Sequence, residues 1–183
     1  MEKLILLTTE YKMLISAISK DKSRIELSGI FILKGYIYAS NGYVLAKIEK
    51  DVQRSYPIDG AYAIKGAIKF VKIGFELILE KIEQDMPNFL EQISDGFTIE
   101  VFEMILDKTT FKSTLPLIIY DFLKKSINVD LLDVLYDVCR NEKIQIYITN
   151  NDKVGTPIMI FLPRLNIQYV VAPYNLILPE NMI

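Results

Sequence analysis

The apolar positions of this chain change period several times, and each change marks an element. Leu4-Ile5-Leu6-Leu7 is a short apolar run that predicts a strand, and Thr8-Thr9 after it can cap a helix. Tyr11, Leu14, Ile15 and Ile18 then recur at helical spacing, predicting an amphipathic helix that ends near Lys20-Asp21. Three strand signals follow, roughly Arg24 to Leu33, Tyr36 to Ser40 and Tyr43 to Glu49, with turns at Lys34-Gly35 and Asn41-Gly42. Asn-Gly is a strong hairpin signal because a type I′ turn needs positive φ at both central residues. The first fifty residues therefore read strand-helix-strand-strand-strand.

The same order recurs near the end. Asn128 suits an N-cap, and Leu131, Leu132, Leu135 and Val138 form an apolar helical stripe. Lys143 to Thr149 places Ile144, Ile146 and Ile148 on one face of a half-buried strand. A turn at Asn150-Asn151-Asp152 with Gly155 leads to strands over Pro157 to Leu162 and Asn166 to Ala172. A strand within Leu117 to Leu123 would complete this unit. The middle is less regular. It reads as a strand at Tyr62 to Ile64 and a helix over Ala67 to Glu83 that Gly74 weakens. A short helix reaching Ile93 and strands at Phe97 to Phe102, Met104 to Leu106 and Thr109 to Leu115 complete it. The expected architecture is α+β, with about three repeated units of roughly sixty residues, sheets on one side and helices on the other. Residues 1–115 would hold two units, the second distorted by an enlarged helical part, and 116–183 the third.

Composition narrows the chemistry. With 183 residues there is room for a large core, and the net charge of -2 gives no global argument for nucleic acid. The absence of histidine removes the commonest general base and metal ligand, and the single Cys139 has no partner for a disulfide or zinc. There is no glycine-rich phosphate loop, nucleophile elbow or metal-ligand spacing, so neither catalysis, nor a cofactor, nor a metal is expected. The apolar runs are too short for a membrane span and the N-terminus has no signal-peptide pattern, which predicts a cytoplasmic protein with no membrane partner.

Two distant segments carry a resemblance. One is Ser28-Gly29-Ile30-Phe31 leading to Tyr38-Ala39-Ser40-Asn41-Gly42-Tyr43-Val44-Leu45-Ala46. The other is Tyr169-Val170-Val171-Ala172-Pro173-Tyr174-Asn175-Leu176. In this order they resemble the bacterial DNA polymerase sliding clamp, the DNA polymerase III beta subunit. That family has a Thr-Asp-Gly-His-Arg-Leu-Ala-like turn and a closing Tyr-hydrophobic-hydrophobic-Met-Pro-hydrophobic-Arg-Leu strand. Ile127-Asn128-Val129-Asp130-Leu131-Leu132-Asp133-Val134-Leu135 is similar to a helix start of the same family. The resemblance is best over residues 4–50 and then 127–176. It implies strand-helix-strand-strand-strand units with helices around a central hole and sheets outside, in a shortened form. It also implies a short-peptide groove at Ser40, Gly42, Tyr43, Leu45, Val170, Ala172 and Tyr174. Leu45, Val170 and Ala172 would form its floor, with Tyr43 and Tyr174 at the rim. The family's basic residue is missing from the turn, where Ser40-Asn41-Gly42-Tyr43-Val44-Leu45 stands. Ala172 replaces the usual Met.

The resemblance further implies helix faces that meet duplex DNA through sequence-independent attraction to phosphates. Lys65, Lys69 and Lys72 would share one helix face by their i, i+4, i+7 spacing, with Lys12 and Lys20 on the first helix. The plain structural reading is that such lysines solvate an exposed face. Asp130, Asp133 and Asp137 oppose a fully basic channel, and the first two also suit a helix N-terminus. The expected function is a non-catalytic replication accessory or processivity protein that could assemble as a homo-oligomer. It would bind DNA and a polymerase or other replication protein through a short peptide. The alternative is a clamp-like adaptor or decoy that does not encircle DNA.

Overall fold

The computed structural model describes residues 1–21, 23–24, 27–50, 56–70, 74–85, 96–105, 111–138, 142–152 and 155–173. Its elements run β1 (Glu2–Leu7), α1 (Thr8–Ala17), β2 (Ile30–Leu33), β3 (Tyr36–Ser40) and β4 (Val44–Glu49). Next come β5 (Gly60–Phe70), β6 (Gly74–Ile82), β7 (Phe97–Ile105) and α2 (Phe111–Leu123). A 3-10 turn (Val129–Leu132), α3 (Asp133–Val138), β8 (Lys143–Thr149), β9 (Ile158–Leu162), a second 3-10 turn (Pro163–Leu165) and β10 (Ile167–Val171) follow. All strand pairs are antiparallel, in one ten-stranded sheet of order β1-β6-β5-β2-β3-β4-β10-β9-β8-β7.

The strand-helix-strand-strand-strand order is complete twice. β1-α1-β2-β3-β4 is the first copy, and β7 with its helices and β8-β9-β10 is the second. Their last strands, β4 and β10, pair along Val44–Ile48 and Ile167–Val171, so one sheet joins the two copies. The middle differs from expectation. The helix read over Ala67 to Glu83 is instead the β5–β6 hairpin, lodged in the sheet between β1 and β2. Leu77 and Leu79 alternate into the core there, and the open edges of β1 and β2 supply backbone partners on both sides. The strands read at Phe97 to Phe102 and Met104 onward are one bulged strand, β7. In place of the strands expected at Thr109 to Leu115 and within Leu117 to Leu123, residues Phe111–Leu123 form the helix α2, which carries Pro116 inside it, while 109 and 110 lie outside the described residues. The short helix expected up to Ile93, like Cys139, lies outside the described residues.

The main core lies between the sheet and its helices. Leu4, Leu6, Ile30, Ile32, Ile37, Ala39, Val44, Ala46 and Ile48 point into it from the first copy. Ile144, Ile146, Ile158, Ile160, Tyr169 and Val171 do so from the second, meeting Met13, Leu14, Leu115, Ile119 and Leu135 of the helices. Edge strands such as β1 alternate buried and open positions, whereas β4 is buried from Val44 to Ile48. The central strands thus build a second apolar cluster on the opposite face, from Phe31, Tyr38, Leu45, Ala61, Met159 and Val170. Lys47 lies within that face, its Nζ 4.1 Å above the Tyr36 ring.

Two polar ties lock the helical layer. Tyr169 crosses the core from β10 and donates to the Leu131 carbonyl at 3.0 Å, and burial pushes its hydroxyl pKa up to about 12. Lys125, fully buried, places Nζ 3.0 Å from Asp152 Oδ1 and 2.8 Å from the Thr156 carbonyl oxygen, fastening the end of α2 to the β8–β9 connection. At the other copy, the Glu10 carboxylate accepts the Leu7 N–H at 2.6 Å across the first turn of α1. No helix among the described residues is long and apolar enough to cross a membrane.

Candidate peptide groove

Ser40, Gly42, Tyr43, Leu45, Val170 and Ala172 converge on one pocket of about 200 Å³, although the sequence separates them by more than a hundred residues. Pairing of β4 with β10 brings them together. Leu45 lies opposite Val170, and the Ala172 N–H donates to the Tyr43 carbonyl at 2.8 Å, carrying the ladder into the β3–β4 turn. Leu45 and Val170 are nearly fully buried and form the floor, while Tyr43 stands at the rim with 64% of its surface open. Tyr174 lies outside the described residues.

The β3–β4 turn differs from the expected type I′. Among the non-glycine residues here, Asn41 does not take positive φ, whereas Gly42 has φ +89°. Gly42 and Tyr43 are the two central residues, the pattern of a type II′ turn with glycine first. The type I′ arrangement is found instead at Lys34-Gly35, where φ is +47° and +87°. Asn41 Oδ1 accepts the N–H groups of Tyr43 and Val44, both at 2.9 Å. Ser40 Oγ accepts the Gly42 N–H at 3.1 Å and donates to the Val44 carbonyl. The turn is therefore held by its own side chains and has a defined shape without a ligand.

Arg24, Leu27, Val44 and Pro157 also line the pocket. The strand expected from Arg24 to Leu33 is shorter, with β2 spanning only Ile30–Leu33. Arg24 precedes that strand and lies against the β3–β4 turn, where its Nη1 donates to the Asn41 carbonyl at 3.2 Å. The pattern predicts strands at both Leu27 and Pro157, but these two lie just outside β2 and β9, and nothing local in the sequence links them to residue 42 or 170. Among the described residues, no group of three or more histidine, cysteine, aspartate or glutamate side chains is arranged to hold a metal.

The lysines expected to face DNA do not form the predicted patch. Lys65 and Lys69 are on β5 rather than a helix, and Lys72 lies outside the described residues. A bulge between Ile64 and Gly66 reverses the strand's facing. Lys65 pairs with Glu80 at 2.5 Å, and Glu80 lies opposite Ala63 on the face away from the helices. Lys69 lies opposite Phe75, whose ring stacks on Tyr11 of α1 at 3.8 Å, so it belongs to the helix-bearing face. Lys12 and Lys20 border a shallow depression between α1 and α3 that also contains Asp133 and Asp137. Lys12 is 3.9 Å from Asp137, so this surface is mixed in charge. Nearby, α2 exposes Leu117, Tyr120 and Phe122.

No protein-family model matches the sequence, and no curated protein is similar to it. Solved structures do match. A DNA polymerase sliding clamp from Bacillus subtilis superposes over 94% of this chain and 64% of its own, with TM-score 0.56 and 13% identity. The DNA polymerase III beta chain of Streptococcus pneumoniae matches over 95% of this chain and 65% of its own, with TM-score 0.57 and 12% identity. A sliding clamp from Pseudomonas aeruginosa, solved with a ligand, matches over 95% and 66%, with TM-score 0.53 and 13% identity. The chain spans about two thirds of the length of these structures. Likeness at this level of identity shows the fold: a sliding-clamp fold in shortened, divergent form.

Proposed function

We propose that this chain is a non-catalytic, clamp-like replication accessory protein whose working surface is the β4–β10 groove, which receives a short extended peptide of a polymerase or other replication protein. The observation that supports it most is the convergence of Ser40, Gly42, Tyr43, Leu45, Val170 and Ala172 on one pocket. An apolar floor between strands, an exposed aromatic rim and a self-braced turn suit capture of apolar side chains from an extended chain. The family likeness contributes the replication context and the polymerase-type partner.

The test is selection of a random heptapeptide library, displayed on phage, against the native protein and an Ala172→Glu variant. Apolar peptides enriched on the native protein and lost on the variant support the groove. Equal enrichment on both removes it.

Retention of duplex DNA by a closed oligomer is a second reading, favoured by the clamp fold. Lys12, Lys20 and Lys69 on the helix-bearing side would meet phosphates, with Lys65 and Lys72 as further candidates from the sequence. Acidic Asp133 and Asp137 beside Lys12 and Lys20 weaken it. Charge reversal of Lys12, Lys20 and Lys69 together would reduce salt-sensitive retention on circular DNA if this reading holds. Unchanged retention removes it. Without encirclement, the chain acts as an adaptor or decoy for replication proteins.

A further inference from the structure

Among the described residues the sheet ends in β1 on one side and β7 on the other, and the two edges are finished differently. β7 carries two register shifts against β8, between Phe97 and Ile99 and between Glu100 and Phe102. Glu100 and Glu103 stand on its face away from the helices, opposite Tyr147 and Gln145. Bulges and charges are the usual means of keeping a sheet edge from pairing further. β1 has neither bulge nor proline, and its register with β6 is unbroken from Glu2 opposite Leu79 to Leu7 opposite Gly74. Ile5 is 49% exposed on the face away from the helices. Lys3, its neighbour on that face, directs Nζ to Glu76 Oε1 at 2.9 Å, back over its own sheet. The backbone of β1 shows which groups face off the edge. In an antiparallel ladder, alternate residues turn N–H and C=O to the same side. The Leu6 carbonyl is directed at β6, since a Cβ on Gly74 would collide with its oxygen. The Leu7 N–H turns away from β6, to the Glu10 carboxylate. Ile5 and Lys3 alternate in step with Leu7, so their N–H and C=O groups also turn away from β6.

We propose that β1 is a self-pairing edge: two copies of this chain join by antiparallel β1–β1 pairing about a two-fold axis at Leu4. Lys3 of each copy then lies opposite Ile5 of the other, and each such pair exchanges both of its backbone hydrogen bonds. A register centred on Ile5 would instead call on Leu7, whose N–H is already given to Glu10. No like charges meet across the axis. The aliphatic stem of Lys3 packs along Ile5, and Glu2 lies opposite Leu6. Such an interface is isologous and closes on two copies. A ring would require β1 to meet β7, the edge that carries the bulges and the glutamates. The pair therefore favours the adaptor reading over encirclement, and it stands independently of the groove.

Light scattering on the native chain, from micromolar to millimolar concentration, should show a reversible two-chain species. Ile5→Pro removes an outward N–H without touching the β1–β6 ladder, so its circular dichroism should be unchanged. It should raise the dissociation constant roughly thirtyfold, through loss of one backbone hydrogen bond in each half of the interface. Ile5→Lys and Ile5→Glu leave the backbone as it is and read the neighbour across the edge. Opposite Lys3 of the second copy, the lysine should weaken the pair relative to the glutamate, with the difference shrinking at high salt. A single-chain mass for the native protein at every concentration would overturn the proposal. A dimer indifferent to Ile5→Pro would do the same. Loss of the fold in Ile5→Pro would put the Ile5 N–H inside the β1–β6 ladder and overturn the outward assignment. The reverse order, with Ile5→Lys the tighter, would place Glu100 and Glu103 of β7 across the edge and replace the two-fold pair with head-to-tail assembly.

Discussion

The two complete strand-helix-strand-strand-strand copies agree in their last three strands and differ in their first. In the second copy, β7 pairs directly with β8. In the first, β1 is separated from β2 by the whole β5–β6 hairpin. The meanders β2-β3-β4 and β8-β9-β10 are built from near neighbours in sequence, so their closure entropy is small and their order is conserved between copies. A leading strand reaches its sheet only after a helix has intervened, and its pairing is decided later and less locally. That is the point where the sheet admits an extra hairpin. The groove, by contrast, sits where the two constant parts meet, at the end of the β4–β10 seam.

The largest test of this comparison replaces residues 58–84 with a short Gly-Ser linker. Removal takes Tyr62, Leu77 and Leu79 from the core and opens a gap of about 10 Å beside β1, two strand spacings. Loss of cooperative unfolding in urea is expected. A variant that still folds cooperatively would mean that β1 can move to β2, as β7 pairs with β8, and that the hairpin is an accessory.

Next in size is Lys125→Ala in the second copy. It leaves Asp152 and Thr156 without their buried cation, at a cost of about 3 kcal/mol read from urea melts. Lys12→Ala, which touches the exposed Lys12–Asp137 pair joining the helices of both copies, should change stability by less than about 0.5 kcal/mol. Comparable effects would mean that the helical layers are tied equally at both sites.

Tyr169 gives a pH-dependent version of the same question. Its folded pKa is raised from 10.0 to about 12, so the unfolded chain releases this proton first as pH rises. The stability contribution is intact below pH 10 and is lost between 10 and about 12, by roughly 2–3 kcal/mol. Tyr169→Phe should flatten that part of the alkaline unfolding profile. Tyr62 and Tyr147, also raised chiefly by burial, would leave a residual slope of the same sign.

A finer comparison separates the two glycine turns of the first copy. Gly35→Ala meets open space, so only the positive φ of +87° resists it, at about 1 kcal/mol. Gly42→Ala adds a clash with the Arg24 guanidinium and should cost more, about 1–2 kcal/mol, while shifting peptide selection at the groove. Equal costs would show that the guanidinium yields freely and is not held over the turn.

Much of this protein follows from local sequence. Period-two alternation at Ile144, Ile146 and Ile148, the stripe of α1, and the Asn128 cap, whose Oδ1 accepts the Asp130 N–H at 3.0 Å, act within a few residues and were legible. Ser40, Gly42, Tyr43, Leu45, Val170 and Ala172, which line one pocket, are linked in the sequence only through their resemblance in order. Two elements were misread for opposite reasons. Residues 67–83 are rich in helix formers, yet pairing on both sides with β1 and β2 overrides that propensity. Residues 117–123 are apolar enough for a buried strand, but the period of a short apolar run does not distinguish strand from helix, and packing of Leu115 and Ile119 under the sheet decides for α2. Only the tertiary structure could place Arg24 over Gly42, or Lys65 and Lys69 on opposite faces. The first depends on a loop folding across a distant turn. The second depends on a single extra residue in a strand, whose effect on facing exists only once its partner strand is known.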